Sequence, residues 1–303
     1  MIKAMAPSPI LVITSQVVRG RVGARATAFA LERLGYPVWL VPTIILPWHP
    51  GHGKATRLVA GKEAFEALID DLARAPWLPE LGAVLTGYLG SPEQVKPIAQ
   101  LITTIRAQNR NLLYCCDPVI GDKDGLYVPE ETAIAIRDQL LPLANLATPN
   151  RFEFDWLTGQ HHASNEEMIK TAKTLPVKQM AITSAFAMMR ASQANLLIEG
   201  ASDQAYLAEH RAFDHVPNGS GDLFAGLLTA RLLQGLPIEK ALAISTAGVF
   251  DILARTVAAE ADELHLIEEQ ERLAHPMANI TLRQIGARAA TGKAQALKPT
   301  PLV

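Results

Sequence analysis

Asn218-Gly219-Ser220-Gly221-Asp222-Leu223-Phe224-Ala225-Gly226-Leu227-Leu228 is the stretch on which the reading of this chain turns. Its apolar residues at 223, 224, 227 and 228, continued by Leu232, recur at helical spacing. A helix is therefore predicted to begin near Asp222. The glycines ahead of it let the backbone approach a ligand closely. The free N–H groups of the first turn and the positive end of the helix dipole then face whatever lies over them. A phosphoryl group there would be stabilised as negative charge develops during transfer. Asp222, at the mouth of the same anion site, is suited to take a proton from an attacking hydroxyl. A helix N-cap aspartate after a glycine turn has the same spacing, and spacing alone does not separate the two.

Working outward from this helix, strands and helices alternate. Strand-like runs occupy 10–14, 38–41, 83–86, 111–116, 146–147, 180–183 and 195–199. Several are short and nearly all apolar, as strands covered on both faces are. Helical patterns fill 23–34, 62–73, 93–106, 129–140, 165–173, 223–234, 238–258 and 260–273. This rhythm predicts an α/β fold with an open, mainly parallel sheet and helices on both sides. Ligands of such sheets bind beyond the carboxyl ends of the strands. No repeat, long linker or charge block divides the chain. Residues 1–288 are thus expected to form one domain, and 289–303, rich in Ala, Lys and Pro, a flexible extension.

Composition narrows the function classes. The 303 residues are 49% hydrophobic, enough for a substantial core, and the net charge is −2. That balance points to neither nucleic acid nor a membrane surface as partner. No uninterrupted apolar run is long enough to span a bilayer, and no signal peptide is visible. The two cysteines, Cys115 and Cys116, are adjacent, so on a strand they point to opposite faces. A cytoplasmic location fits best.

Five successive strands end in polar residues: Ser15, Thr86-Gly87-Tyr88, Asp117, Thr148-Pro149-Asn150 and Thr183-Ser184. One such ending is ordinary turn chemistry; five on one edge predict a polar crevice. Asp117 and Glu153 are two carboxylates in it, suited to magnesium directly or through water. Each could instead cap the following helix, and Asn150 to Glu153 has capping-box spacing. His49 and His52 form a pair without further Cys or His partners, a poor metal site. Cys116, beside Asp117, reads as a small buried hydrophobe.

Read together, several segments resemble the pyridoxal kinases, a branch of the ribokinase superfamily. They are 15–23, Thr86-Gly87-Tyr88-Leu89-Gly90, 114–122, 125–130, 141–153 and Gly219-Ser220-Gly221-Asp222-Leu223-Phe224. The likeness runs in order over roughly residues 8–275. It implies a ribokinase-like three-layer α/β/α sandwich, a homodimer, and transfer of the γ-phosphoryl of MgATP to the 5′-hydroxyl of pyridoxal, pyridoxine or pyridoxamine. By similarity, Asp222 is the catalytic base, and Gly219, Ser220 and Gly221 form the anion hole. Asp117, Tyr127, Thr148, Asn150, Glu153, Thr183 and Ser184 map to nucleotide and cation positions, with Asp117 and Glu153 the metal carboxylates. A monovalent cation such as potassium beside Asp117, Thr148 and Thr183 is implied too. Ser15, Val22, Tyr88 and His49 map to the vitamer side, where Asp222 also meets the acceptor.

Two departures bear on the acceptor. The first glycine turn reads Val22-Gly23-Ala24 where many relatives have Val-Gly-Asn. The loop 46–53 reads Leu-Pro-Trp-His-Pro-Gly-His-Gly, with Trp48 where relatives carry an amide. This loop is expected to fold over the acceptor ring, with Trp48 as its flat surface. Two alternatives remain open at this point: a kinase for hydroxymethylpyrimidine or a similar heterocycle, and a vitamer-binding protein without catalysis. The complete Gly-Ser-Gly-Asp argues against the latter.

Overall fold

In the computed structural model the described residues are 7–200, 202 and 204–286; the expected extension at 289–303 lies outside them. The chain begins β1 (Ile10–Val17), α1 (Ala24–Arg33), β2 (Val38–Leu46), α2 (Lys62–Ala73), β3 (Ala83–Thr86), α3 (Val95–Gln108) and β4 (Leu113–Cys116). A small hairpin, β5 (Gly121–Asp122) and β6 (Gly125–Leu126), leads to α4 (Glu130–Ala135), β7 (Leu146–Ala147), α5 (Arg151–Thr158) and α6 (Asn165–Ala172). Next come β8 (Gln179–Ala185), β9 (Ser192–Glu199), β10 (Ala205–Arg211), α7 (Ser220–Leu233), α8 (Ile238–Ala258), α9 (Glu271–Ala274) and β11 (Thr281–Ile285).

Nine strands form one sheet in the order β11-β10-β9-β8-β7-β4-β3-β1-β2. The pairs from β2 through β8 are parallel, and β9, β10 and β11 add antiparallel neighbours at one end. The mainly parallel sheet expected from the alternation is thus present. Period-2 alternation explains its two covers. Tyr114, Cys116, Ala147, Met180, Ile182, Leu196 and Ile198 enter a core shared with α2 to α6. Their neighbours Cys115, Leu146, Ala181 and Leu197 enter a second core against α1, α7 and α8. Cys115 and Cys116 therefore do face opposite ways, both buried and unbonded.

Helix α7 is buried without a break from Leu223 to Arg231, because α1 and α8 pack on either side of it. Helix α8 is long and apolar enough to cross a membrane by length and composition, but 61% of its apolar window is buried inside this fold. It is a core helix.

Four expectations need correction. The first two strands run further, to Val17 and Leu46, since backbone pairing between them continues past a register shift at Thr14/Gln16. The 260–273 segment is mostly turns, with helix only at Glu271–Ala274. There Leu264 and Leu266, two apart, are both buried, a spacing that helix cannot serve. Strands β10 and β11 were not anticipated. Buried Glu209 breaks the apolar pattern of β10; it is matched by Arg283 of β11 at 3.0 Å and by the N–H groups of Met188 and Met189. Helix α5 was also not anticipated, although its cap spacing was.

Candidate active site

Helix α7 starts at Ser220, two residues before the expected position. Its N-cap is Gly219, with φ +100°, and a Cβ there would collide with the Arg21 carbonyl oxygen. Glycine has no side chain to satisfy the first-turn N–H groups, so they remain free for a ligand. The N-cap reading of Asp222 is therefore overturned. Asp222 sits inside the first turn, and its Oδ2 accepts the Gly23 N–H at 2.8 Å. Burial pushes this carboxyl up to about 6, opposed by the Gly23 hydrogen bond. That value suits a proton acceptor working near neutral pH.

A cleft of about 660 Å³ opens along the carboxyl ends of β1, β4, β7 and β8. Every residue given a catalytic, nucleotide, metal or vitamer role from the sequence lines it; Trp48, expected as the lid, does not. Ser15, Val22, His49 and Tyr88 lie there with apolar Val17 and Leu46. Asp117, Tyr127, Thr148, Asn150, Glu153, Thr183 and Ser184 lie there too, as do Gly219, Ser220, Gly221 and Asp222. Asp222 belongs to both groups: it is bonded to Gly23, next to Val22, and its charge raises Asp117. A niche of about 110 Å³ shares Thr183, Ser184, Val216, Ser220 and Gly221 with the cleft and continues between Phe213, Phe224, Val249 and Leu253.

Three carboxyl groups, Asp117, Glu153 and Asp222, converge with no ion pair to any of them among the described residues. Asp117 is buried at the end of β4, where its backbone N–H donates to the Thr86 carbonyl and its Oδ1 accepts the Thr148 hydroxyl at 2.9 Å. Burial, then Glu153 and Asp222, hold its proton affinity well above the usual carboxylate range. A divalent cation would relieve this repulsion, so the donor set fits magnesium brought with a nucleotide. No group of three or more His, Cys, Asp or Glu has metal-binding geometry among the described residues. The fit is that of a metal shared with phosphate oxygens rather than caged by protein.

Glu153 is committed to backbone. Its Oε2 accepts Asn150 N–H at 2.8 Å and its Oε1 accepts Ile120 N–H at 2.8 Å and Gly121 N–H at 3.3 Å. The Asn150 side-chain oxygen in turn accepts the Glu153 backbone N–H, completing a capping box on α5. Burial drives the Glu153 carboxyl up to about 7, against the pull of those N–H groups. Of the two expected forms of metal contact from Glu153, the direct one is poorly served by oxygens committed to backbone, which leaves contact through water; Asp117 is the better-placed carboxylate for a direct bond. Glu153→Gln leaves buried donors short of an acceptor, at a cost of about 1–3 kcal/mol. We expect Tm to fall by several degrees with the midpoint of the magnesium titration unmoved. A midpoint displaced several-fold would return Glu153 to the metal.

Of the two residues expected at the cleft from the 46–53 loop, His49 lines it, with Pro50 and Gly51, and Trp48 does not. The Trp48 indole donates to the Gly53 carbonyl at 3.2 Å and stays 38% exposed. Nδ1 of His49 accepts the Gly51 N–H, and burial, then His52, lowers the affinity of the ring for a second proton. His52 instead meets Glu263 at 3.2 Å, so the two histidines share no ligand. Trp48→Ala should accordingly leave the acceptor KM within about twofold, as expected for a partly exposed position. A tenfold rise would restore the indole as a lid.

Comparison with known proteins agrees with this geometry. The phosphomethylpyrimidine kinase family model matches residues 63–265. Pyridoxal kinase PdxY of Corynebacterium diphtheriae is 32% identical over 91% of this chain and 99% of its own. The chain belongs to the pyridoxal kinase family. A pyridoxine/pyridoxal/pyridoxamine kinase of Bordetella avium is 38% identical over 84% of this chain and 88% of its own. The structure of pyridoxal kinase from Leishmania donovani in complex with ADP and pyridoxine has a TM-score of 0.85. It is 26% identical and covers 92% of this chain and 99% of its own. The ribokinase-like fold is that of this family.

Several contributors to this candidate site went unread in the sequence of this pyridoxal kinase. The Gly23 N–H holds Asp222, but a backbone donor leaves no compositional trace. Glu263 accepts the Arg21 N–H at 2.8 Å and reaches His52, tying three loops at the rim, from a segment expected to be helix. The niche gathers Gln193, Asn195 and His210 from β9 and β10, and β10 was not anticipated. Cys116 does not reach the cleft lining; burial drives its thiol up to about 12, which makes it an inert hydrophobe.

Proposed function

We propose that the chain transfers the γ-phosphoryl group of ATP to the 5′-hydroxymethyl group of pyridoxal, pyridoxine or pyridoxamine. The observation that carries this reading is Asp222 on the uncapped first turn of α7, its carboxylate fixed by Gly23 and open to the cleft. Asp222 takes the proton of the acceptor hydroxyl as that oxygen attacks the γ-phosphorus and the bond to the β-phosphate oxygen breaks. The N–H groups of Ser220, Gly221 and Asp222 face the charge that develops. This is transfer by positioning and electrostatics.

The base of the nucleotide suits the niche between Phe213, Phe224, Val249 and Leu253, and its phosphates then run past Ser220 and Gly221. Asp117 and Thr148 would hold the cation side, with Thr183 beside them for a monovalent ion such as potassium. A bound magnesium supplies charge neutralisation on the phosphates. Residues 1–288 would act as one kinase domain. A homodimer is also part of the proposal, supported by the exposed apolar side chains of Leu40 and Ile45 on edge strand β2 and of Leu58 beside it. The reducing cytoplasm is the compartment that suits two unbonded thiols.

The description of the matching family model favours one second reading, phosphorylation of hydroxymethylpyrimidine. A coupled ADP-release assay over a panel of hydroxymethyl heterocycles separates the two. Turnover of the pyridine vitamers supports the proposal; turnover of the pyrimidine alone replaces it. ADP release with none of them leaves a binding protein.

A further inference from the structure

Arg57 lies outside the regular elements, just before Leu58, which bridges Ile45 at the sheet edge. It was not among the residues singled out in the sequence, yet its side chain lines the cleft. One Nη2–H donates to the Tyr88 hydroxyl at 2.8 Å, and the guanidinium carbon stands 5.9 Å from the centre of the Tyr88 ring. Arg57 makes no ion pair among the described residues. Of its five N–H donors, only the one on Tyr88 is engaged among the described residues.

Its surroundings make this unusual. The carboxylates at the cleft are Asp117, Asp122, Glu153 and Asp222, and His49 is held neutral by burial. Arg57 is therefore the one permanent cation among the lining residues. It is bonded to Tyr88, which packs with Val17, Val22 and Leu46, whereas Asp117 is bonded to Thr148 and Glu153 to Asn150. Arg57 is exposed, with one donor on Tyr88 and no ion pair among the described residues; beside the apolar Val17, Val22 and Leu46 its remaining donors suit a flat ring bearing an anionic oxygen.

We propose that Arg57 sets acceptor specificity by pairing with an ionised hydroxyl on the acceptor's aromatic ring, and that Tyr88 positions it. This rests on the pyridine-vitamer reading above. The 3-hydroxyl of those pyridines gives up its proton readily, because the ring nitrogen carries positive charge. Hydroxymethylpyrimidine bears an exocyclic amino group and no acidic hydroxyl. Guanidinium donors meet an anion in the first case and further N–H donors in the second. Arg57 thus selects between the two acceptor classes by favouring one and rejecting the other.

The test compares parent, Arg57→Gln, Arg57→Lys and Tyr88→Phe, as full-length chains with matched Tm. The acceptors are pyridoxine, 3-deoxypyridoxine and 4-amino-5-hydroxymethyl-2-methylpyrimidine. Arg57→Gln should raise the KM for pyridoxine by about 10–100-fold, the scale for losing a charged hydrogen bond at a binding site. The KM for 3-deoxypyridoxine should move by less than about threefold, and the preference for the pyridine over the pyrimidine should collapse. Arg57→Lys should recover part of the loss, and Tyr88→Phe should fall between. Bound pyridoxine should show the absorption of its ionised ring hydroxyl in the parent and lose part of it in Arg57→Gln. Equal KM losses for pyridoxine and its 3-deoxy analogue would overturn the assignment. A parent that turns over no pyridine would instead overturn the functional reading on which the assignment rests.

Discussion

Asp222→Asn is expected to lower kcat by about 10²-fold or more, the usual scale for loss of a general base. The fold should survive, because an amide oxygen can still accept the Gly23 N–H that Oδ2 now accepts at 2.8 Å. ATP should still bind, since the first-turn N–H groups remain. The pH dependence supplies an independent check. With its carboxyl raised to about 6, Asp222 is protonated below that pH and cannot take a proton. The parent's kcat/KM should therefore fall on the acid side with a midpoint near that value. The residual activity of Asp222→Asn should lack this limb. Near-normal turnover in the variant would remove Asp222 from the mechanism.

The second large effect belongs to a residue with no chemistry of its own. Gly219 holds φ at +100°, and an added Cβ would strike the Arg21 carbonyl oxygen. Gly219→Ala must therefore push α7 away from the loop that carries Val22 and the Gly23 donor to Asp222. The backbone strain costs about 1–3 kcal/mol, which Tm will report. Displacing the base from its donor by even 1 Å is worth about 10²-fold in rate. Gly221→Ala is the matched control, because its Cβ would meet nothing within 4 Å. It should keep the parent's Tm, so any loss of rate there is a clash with the phosphoryl group. Parent-like stability and turnover in Gly219→Ala would show that the close approach to Arg21 is not required.

Legibility differed from element to element for identifiable reasons. The short central strands were readable because both faces are buried, so Ala83–Thr86 and Leu113–Cys116 are apolar almost throughout. Helix α7 was readable for the same reason. The segment around Glu263 misled because charge and leucine content mimic a helix. Its geometry is set by Glu263 reaching the Arg21 N–H and by two leucines buried at alternate positions. Strand β10 was hidden by Glu209, a buried charge whose partners come from β11 and from the turn at Met188 and Met189.

The site divides along the same line. The amino-acid sequence alone determined which strand ends are polar, where glycine precedes the helix carrying Asp222, and to which family these segments belong. Those are properties of neighbouring residues, and side-chain alternation carries them to one edge of a parallel sheet. Only the tertiary structure decided what each group is free to do. It turned Glu153 onto three backbone N–H groups, left the first turn of α7 uncapped, and gave His49 rather than Trp48 to the cleft. It also set Arg57 on Tyr88, with no ion pair among the described residues. Each outcome depends on which distant backbone donor or side chain comes within about 3 Å, the reach of a hydrogen bond, and local pattern holds no record of such distances.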